Sequence, residues 1–276
     1  MKKHFFIRWL ISLLMFIVAA CTAPAATQTA TLVPSQEPSP TAEALIVTPV
    51  ESALALENPT VTPLDDILAS HTVTFDTEDG ATINGELYGT GRTAVIFSVM
   101  GNCKPGWREF AQLAAAQGYM ALTYQWRGCK ANSVDDVLIQ KFLDDTRAAI
   151  TFVREQGAEK IILVGASLGG CASAKLAVES QASGLVVLAS PPSIPQWGFE
   201  IEAADLNTDI PKLFITAEND NTVPADSTRA LYDLAAEPKE WQTYTGSAHG
   251  TDLFEGQSAA ELQQRILGFI QMITAE

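Results

Sequence analysis

From His71 to the C-terminus, apolar runs of strand length alternate with longer segments whose apolar residues recur at helical spacing. Strands are expected at Thr72–Phe75, Thr82–Tyr88, Thr93–Val99, Met120–Gln125, Lys160–Val164, Gly184–Ala189, Lys212–Ala217 and Glu240–Tyr244. Helices are expected at Trp107–Gln117, Val134–Gln156, Leu168–Ser180, Ala225–Ala236 and Ala259–Ile273. Strand and helix in turn, with strands apolar on both faces, dictate a mostly parallel sheet covered by helices on both sides. Asp79-Gly80, between the first two strands, is a hairpin signal, so that edge is antiparallel. In such sheets ligands bind at the carboxyl ends of the strands.

The sequence before His71 has a different texture. Residues 1–20 carry Lys2, Lys3 and Arg8, then an apolar run from Trp9 to Ala20 that ends in small residues. This is a secretory signal layout, and the run is short for a spanning helix, which needs about 20 apolar residues. Residues 22 to 69 contain no Gly, no aromatic and no Lys or Arg, and are dense in Thr, Pro, Ala and Ser. They cannot bury enough apolar surface to offset the entropy of ordering, and read as a semi-rigid spacer with a weak helix around Leu64–Ala69. The expected organisation is a signal at 1–20, a linker at 21–69 and one domain at 70–276.

A formal net charge of −15 argues against nucleic acid as a partner and against electrostatic docking on anionic lipid. The four cysteines, Cys21, Cys103, Cys129 and Cys171, include no CxxC pair, and with three histidines in the chain no metal site is expected.

Gly165-Ala166-Ser167-Leu168-Gly169 lies between the buried strand Lys160–Val164 and the start of a helix. Glycines two before and two after the serine remove side chains that would collide as the backbone doubles back. The turn would hold Ser167 exposed above the sheet. The helix start offers free N–H groups and a positive dipole end, so the Leu168 N–H is a natural oxyanion donor. On this motif, and on the element order from about Thr72 onward, the chain resembles the α/β-hydrolase family. The junction Val18-Ala19-Ala20-Cys21 resembles a bacterial lipobox, which implies a lipid-modified Cys21 that anchors the protein outside the cytoplasm.

The resemblance implies a triad in the order serine, acid, histidine. His249, in Gly246-Ser247-Ala248-His249-Gly250 after the last strand, matches the family's catalytic histidine, the base that a hydroxyl nucleophile requires. Asp220, in Asp220-Asn221-Thr222-Val223-Pro224, matches the family's acid, with Glu218 the nearest competitor. The second oxyanion donor is expected in the loop after Val99, at Asn102 or else Gly101; Met100 stands where the family commonly has histidine. Cys103 and Cys129 fall in loops at one edge of the sheet, as a disulfide in an oxidising compartment or as two free thiols. Pro191–Ile210 replaces the family's lid with about 20 residues, whose Trp197 and Phe199 line an acyl pocket or pack the core.

The implied function is hydrolysis of an ester, thioester or amide of a small molecule or peptide through an acyl-enzyme, with no metal or organic cofactor. A short cap suggests small or extended esters. A non-catalytic surface binding protein and an acyltransferase are the alternatives.

Overall fold

The computed structural model describes residues 69–101, 103 and 106–275. The signal, Cys21 and the linker up to residue 68, including most of the weak helix expected at Leu64–Ala69, lie outside them, as does Asn102.

An eight-stranded sheet runs in the order β1-β2-β4-β3-β5-β6-β9-β10. Its strands are β1 (Ser70–Asp76), β2 (Thr82–Tyr88), β3 (Thr93–Val99), β4 (Met120–Gln125), β5 (Lys160–Ala166), β6 (Gly184–Leu188), β9 (Lys212–Ala217) and β10 (Lys239–Tyr244). The pairs β1/β2 and β2/β4 are antiparallel, and all later pairs are parallel. A small hairpin, β7 (Ser193–Ile194) with β8 (Phe199–Glu200), stands apart from the sheet. The helices are α1 (Arg108–Ala116), α2 (Asp136–Gln140), α3 (Phe142–Glu155), α4 (Leu168–Leu176), α5 (Ala203–Leu206), α6 (Ala225–Leu234) and α7 (Ala259–Thr274).

The strand alternation sorts the core into two layers. Val95 and Phe97 of β3 face α1 and α7, among Phe110, Ala114, Ile266 and Phe269. Ile96 faces the other way, toward α3, α4 and α6, among Phe142, Val153, Leu176 and Leu231. Both faces of the central strands are covered, which is why they read as near-continuous apolar runs.

One expected element is divided. The periodic segment Val134–Gln156 forms two helices that meet at Lys141. Asp135 caps the first, its Oδ1 accepting from the Leu138 N–H at 2.8 Å. That short helix packs under the β7–β8 segment, where the Trp197 indole donates to Asp136 at 3.1 Å, while α3 lies on the sheet. A straight helix could not do both.

The strand order locates the site. After β3 the chain crosses to β4 on one side, then returns to place β5, β6, β9 and β10 on the other. The winding reverses between β3 and β5, and a crevice opens beyond the carboxyl ends of strands at such a switch point.

Candidate active site

Ser167 stands at the carboxyl end of β5, in that crevice. Its backbone has φ 55° and ψ −125°, a conformation that costs a non-glycine residue of order 1–3 kcal/mol and persists only where the surroundings enforce it. Its N–H donates to the Leu188 carbonyl at 2.9 Å. Its carbonyl accepts from the Gly170 N–H at 3.0 Å and from the Ser190 hydroxyl at 2.8 Å.

The flanking glycines permit this turn sterically. A Cβ on Gly165 would lie 2.2 Å from the Gly169 carbonyl oxygen, and one on Gly169 would lie 2.0 Å from that of Ser98. The helix that begins at Leu168 therefore sits directly on the backbone of β3. Gly170 belongs to the same cradle, since its Cβ would meet Ser190 Oγ at 2.1 Å. Gly170 and Ser190 were not singled out by the sequence; the doubled glycine was the available signal, and Ser190 left none. Leu168 is the first residue of α4, so its N–H has no carbonyl one turn back to bond within the helix and faces the crevice end.

The histidine and the acid come from neighbouring loops. Asp220 follows β9 and is buried; His249 follows β10 and is partly exposed. Asp220 Oδ2 lies 2.8 Å from His249 Nδ1. Its other oxygen, Oδ1, accepts from the Thr222 N–H at 2.8 Å and the Val223 N–H at 3.0 Å. Both oxygens are thus committed, and the carboxylate cannot rotate away from the ring. The two loops are stitched by Glu218 N–H to the Tyr244 carbonyl and Asn219 N–H to the Gly246 carbonyl, each at 2.9 Å. Glu218 itself is exposed.

The loop then folds over Ser167. Gly250 has φ 56°, and a Cβ there would lie 4.0 Å from Ser167 Cβ and 3.5 Å from Ala166 Cβ. The residue next to His249 is packed on the turn that carries Ser167. Cys171, one helical turn beyond the serine, is no competing nucleophile: burial pushes its thiol up to about 12, and it donates to the Pro191 carbonyl at 3.3 Å.

On the opposite side of Ser167, the loop after β3 is tied down covalently. Val99 pairs with Ala166, so this loop leaves the sheet beside Ser167. Cys103 and Cys129 form a disulfide with Cα atoms 5.5 Å apart. The Cys129 end is held in turn by Arg127. Its Nε donates to Asp145 Oδ1 at 2.6 Å, its N–H to Asp145 Oδ2 at 2.8 Å, and its two terminal nitrogens to Asp79. Asp145 lies within α3 on a buried face, and burial pushes its carboxyl above the usual range despite the arginine. An aspartate amid an apolar helical pattern was the sequence signal for this clamp. In the short cap, Phe199 is core and Trp197 is latched to α2.

Residues 99–266 match the family model described as the alpha/beta hydrolase family. The uncharacterized protein YfhR of Salmonella typhi is 24% identical over 241 residues, spanning 73% of this chain and 82% of the relative. Among solved structures, the esterase domain of a Rhodothermus marinus protein superposes with a TM-score of 0.57 at 18% identity, over 72% of this chain and 96% of that one. Esterase 2 of Thermogutta terrifontis, phosphoramylated by tabun, gives 0.61 at 19% identity over 75% and 95%. The alpha/beta hydrolase GrgF of Penicillium sp. sh18 gives 0.62 at 20% identity over 75% and 100%. These structural likenesses establish the fold.

Proposed function

The chain belongs to the alpha/beta hydrolase family, and on that premise we propose that it is a serine hydrolase cleaving an ester, thioester or amide through an acyl-enzyme. The observation that carries the proposal is the constellation at the switch point. A serine is held in a strained turn, a histidine loop is packed over it, and a buried aspartate with both oxygens engaged grips that histidine. A merely structural serine needs none of this.

In this reading Ser167 Oγ attacks the substrate carbonyl carbon while His249 Nε2 takes its proton. The negative charge that develops on the carbonyl oxygen is met by the Leu168 N–H and by a donor in the loop after β3, assigned to Asn102. As the tetrahedral species collapses, the bond to the leaving group breaks and His249 returns the proton to it. Water, deprotonated by the same histidine, attacks the acyl-enzyme, releases the acid and restores the serine. Asp220 holds the ring with its Nδ1 protonated, so that Nε2 presents a lone pair, and stabilises the imidazolium once formed.

The test is a fluorophosphonate probe on the protein beginning at His71, with the adduct mapped by mass spectrometry. Labelling of Ser167 that disappears in His249→Ala is expected. A folded protein that takes no label overturns the proposal.

We further propose that residues 1–20 are removed and that Cys21 carries acyl chains, with residues 21–69 as the tether of a domain spanning 70–276. The Val18-Ala19-Ala20-Cys21 junction supports this. Metabolic labelling with a fatty-acid probe, lost in Cys21→Ala, is the expected result; an unlabelled wild-type chain excludes it.

A further inference from the structure

Ser190 lies just past the end of β6 and is fully buried. Its hydroxyl is 2.8 Å from the Ser167 carbonyl oxygen and 2.9 Å from that of Leu188, and donates to them. The chain reaches it through Ala189, whose φ of 47° is a left-handed conformation that a residue with a side chain rarely adopts. Ser190 is pinned on both sides. The Ala189 N–H donates to the Ile215 carbonyl at 2.8 Å, and the Pro191 carbonyl accepts from the Cys171 thiol at 3.3 Å. Two non-glycine residues with left-handed φ, Ser167 and Ala189, thus stand on either side of one hydroxyl.

Neither carbonyl needs that hydroxyl to be satisfied. The Leu188 carbonyl accepts from the Ser167 N–H at 2.9 Å. The Ser167 carbonyl accepts from the Gly170 N–H at 3.0 Å and the Cys171 N–H at 3.2 Å. A lost hydrogen bond is costly where it leaves a buried group without a partner, and here it would not. Those two N–H groups belong to α4, the helix that Ser167 itself caps. Ser190 ties the same carbonyl to the segment leaving β6, a different element. The hydroxyl therefore adds a direction to a carbonyl that already has its partners.

The direction matters because of what shares the peptide plane. The bond between Ser167 and Leu168 is trans. In a planar trans peptide the C=O and the following N–H point opposite ways. The Ser167 carbonyl is aimed at buried Ser190, so the Leu168 N–H is aimed away from it. That N–H, at the first position of α4, donates to no described residue. Any turn of the plane that the carbonyl makes, the N–H makes too, and a hydrogen bond weakens steeply as its angle falls below about 120°.

We propose that Ser190 is a positioning residue for oxyanion stabilisation. By holding the Ser167 carbonyl, it sets the direction in which the Leu168 N–H meets the charge that develops on the substrate. Being fully buried, it acts through the peptide and not on the substrate. The inference rests on the serine-hydrolase reading. It separates Ser190 from the other supports of the site, because the Asp220–His249 pair is not attached to this peptide. Loss of the hydroxyl should slow attack by Ser167 without changing the pH at which His249 becomes a base.

The experiment compares the full chain with Ser190→Ala, a change that removes one oxygen atom. The second-order rate of fluorophosphonate labelling is measured from about pH 5 to pH 9. The endpoint of labelling counts the competent sites, and thermal melting checks the fold. The expected result is labelling about 3- to 10-fold slower, the effect of one hydrogen bond. Complete removal of an oxyanion donor, at about 10²- to 10³-fold, sets the ceiling. The pH midpoint and the endpoint should match wild type, and the Tm should lie within about 3 °C of it. A rate within about two-fold of wild type overturns the role. So does a displaced pH midpoint, which would mean that Ser190 acts on His249. A variant that fails to fold, melts lower than that, or labels fewer sites shows a structural serine and overturns it as well. A folded wild type that takes no label overturns the hydrolase reading and this role with it, a result distinct from a labelled wild type that Ser190→Ala equals.

Discussion

Exchange of Asp220 for asparagine separates the structural task of its carboxylate from the catalytic one proposed for it. Oδ1, which accepts from the Thr222 and Val223 N–H groups, survives the substitution. Oδ2, 2.8 Å from His249 Nδ1, becomes an amide nitrogen that can only donate. The ring must then accept at Nδ1 and carry its proton on Nε2, so that in the proposed mechanism it offers Ser167 a donor and cannot act as a base. With geometry intact and the wrong tautomer, kcat should fall by about 10⁴, or roughly 5.4 kcal/mol at 1.36 kcal/mol per factor of ten. Stability should change by less than about 1 kcal/mol, because neither backbone donor loses its acceptor. Asp220→Ala removes the acceptor of both donors in a part-buried turn, at about 1–3 kcal/mol in total. For a domain of this size that amounts to a fall of about 2–12 °C in Tm. The assays are fluorophosphonate labelling rate, ester turnover and thermal melting on wild type and both variants. An Asp220→Asn protein that keeps more than a tenth of wild-type activity would refute the tautomer argument. One that melts as low as Asp220→Ala would refute the division of labour between the two oxygens.

Three further outcomes are expected. Gly169→Ala places a Cβ 2.0 Å from the Ser98 carbonyl oxygen and 2.8 Å from the Val99 nitrogen, both backbone atoms that cannot turn aside. It should cost more than about 3 kcal/mol in urea unfolding or give insoluble protein; a change under 1 kcal/mol contradicts the packing. Opening the Cys103–Cys129 bond as the paired serine variant releases a loop with a sequence separation of 26, worth about 3.5 kcal/mol of unfolded-state entropy. Labelling of Ser167 should slow as well, and full labelling speed at full occupancy of the folded state would show that the tie does not serve the loop after β3. Finally, Arg127, and after it Thr77, hold the Asp79 carboxyl well below its ordinary value of 3.8. A depressed folded pKa contributes stability that is complete above the unfolded pKa and drains as pH falls toward the folded one. Asp79→Asn should therefore be less stable than wild type at pH 7, with a gap that narrows below about pH 4. A gap that stays constant from pH 7 to pH 3 in urea melts contradicts the assignment.

The strand positions, though not every end, were legible: β1 runs over Ser70–Asp76 rather than Thr72–Phe75, and β5 to Ala166 rather than Val164, but each expected strand is present. Val95, Ile96 and Phe97 alternate between two core layers yet form one apolar run that only a covered parallel strand explains. Ser167 was legible because its turn excludes side chains on both flanks, which writes glycine into the sequence at fixed offsets. The break at Lys141 was not: helical periodicity continues across it, and only the competing demands of the cap and the sheet divide the helix. Ser190 was illegible for a related reason. It supports Ser167 across 23 residues of sequence. Such support has no local pattern.

The backbone angles of Ser167 also bear on whether the chain has ceased to be an enzyme. At φ 55° and ψ −125° only glycine is at ease, so Ser167→Gly should melt higher than wild type while losing all labelling. On the serine-hydrolase proposal, the residue that carries the chemistry is the one whose replacement would relax the backbone. A protein kept only to bind would gain by a single substitution at this position.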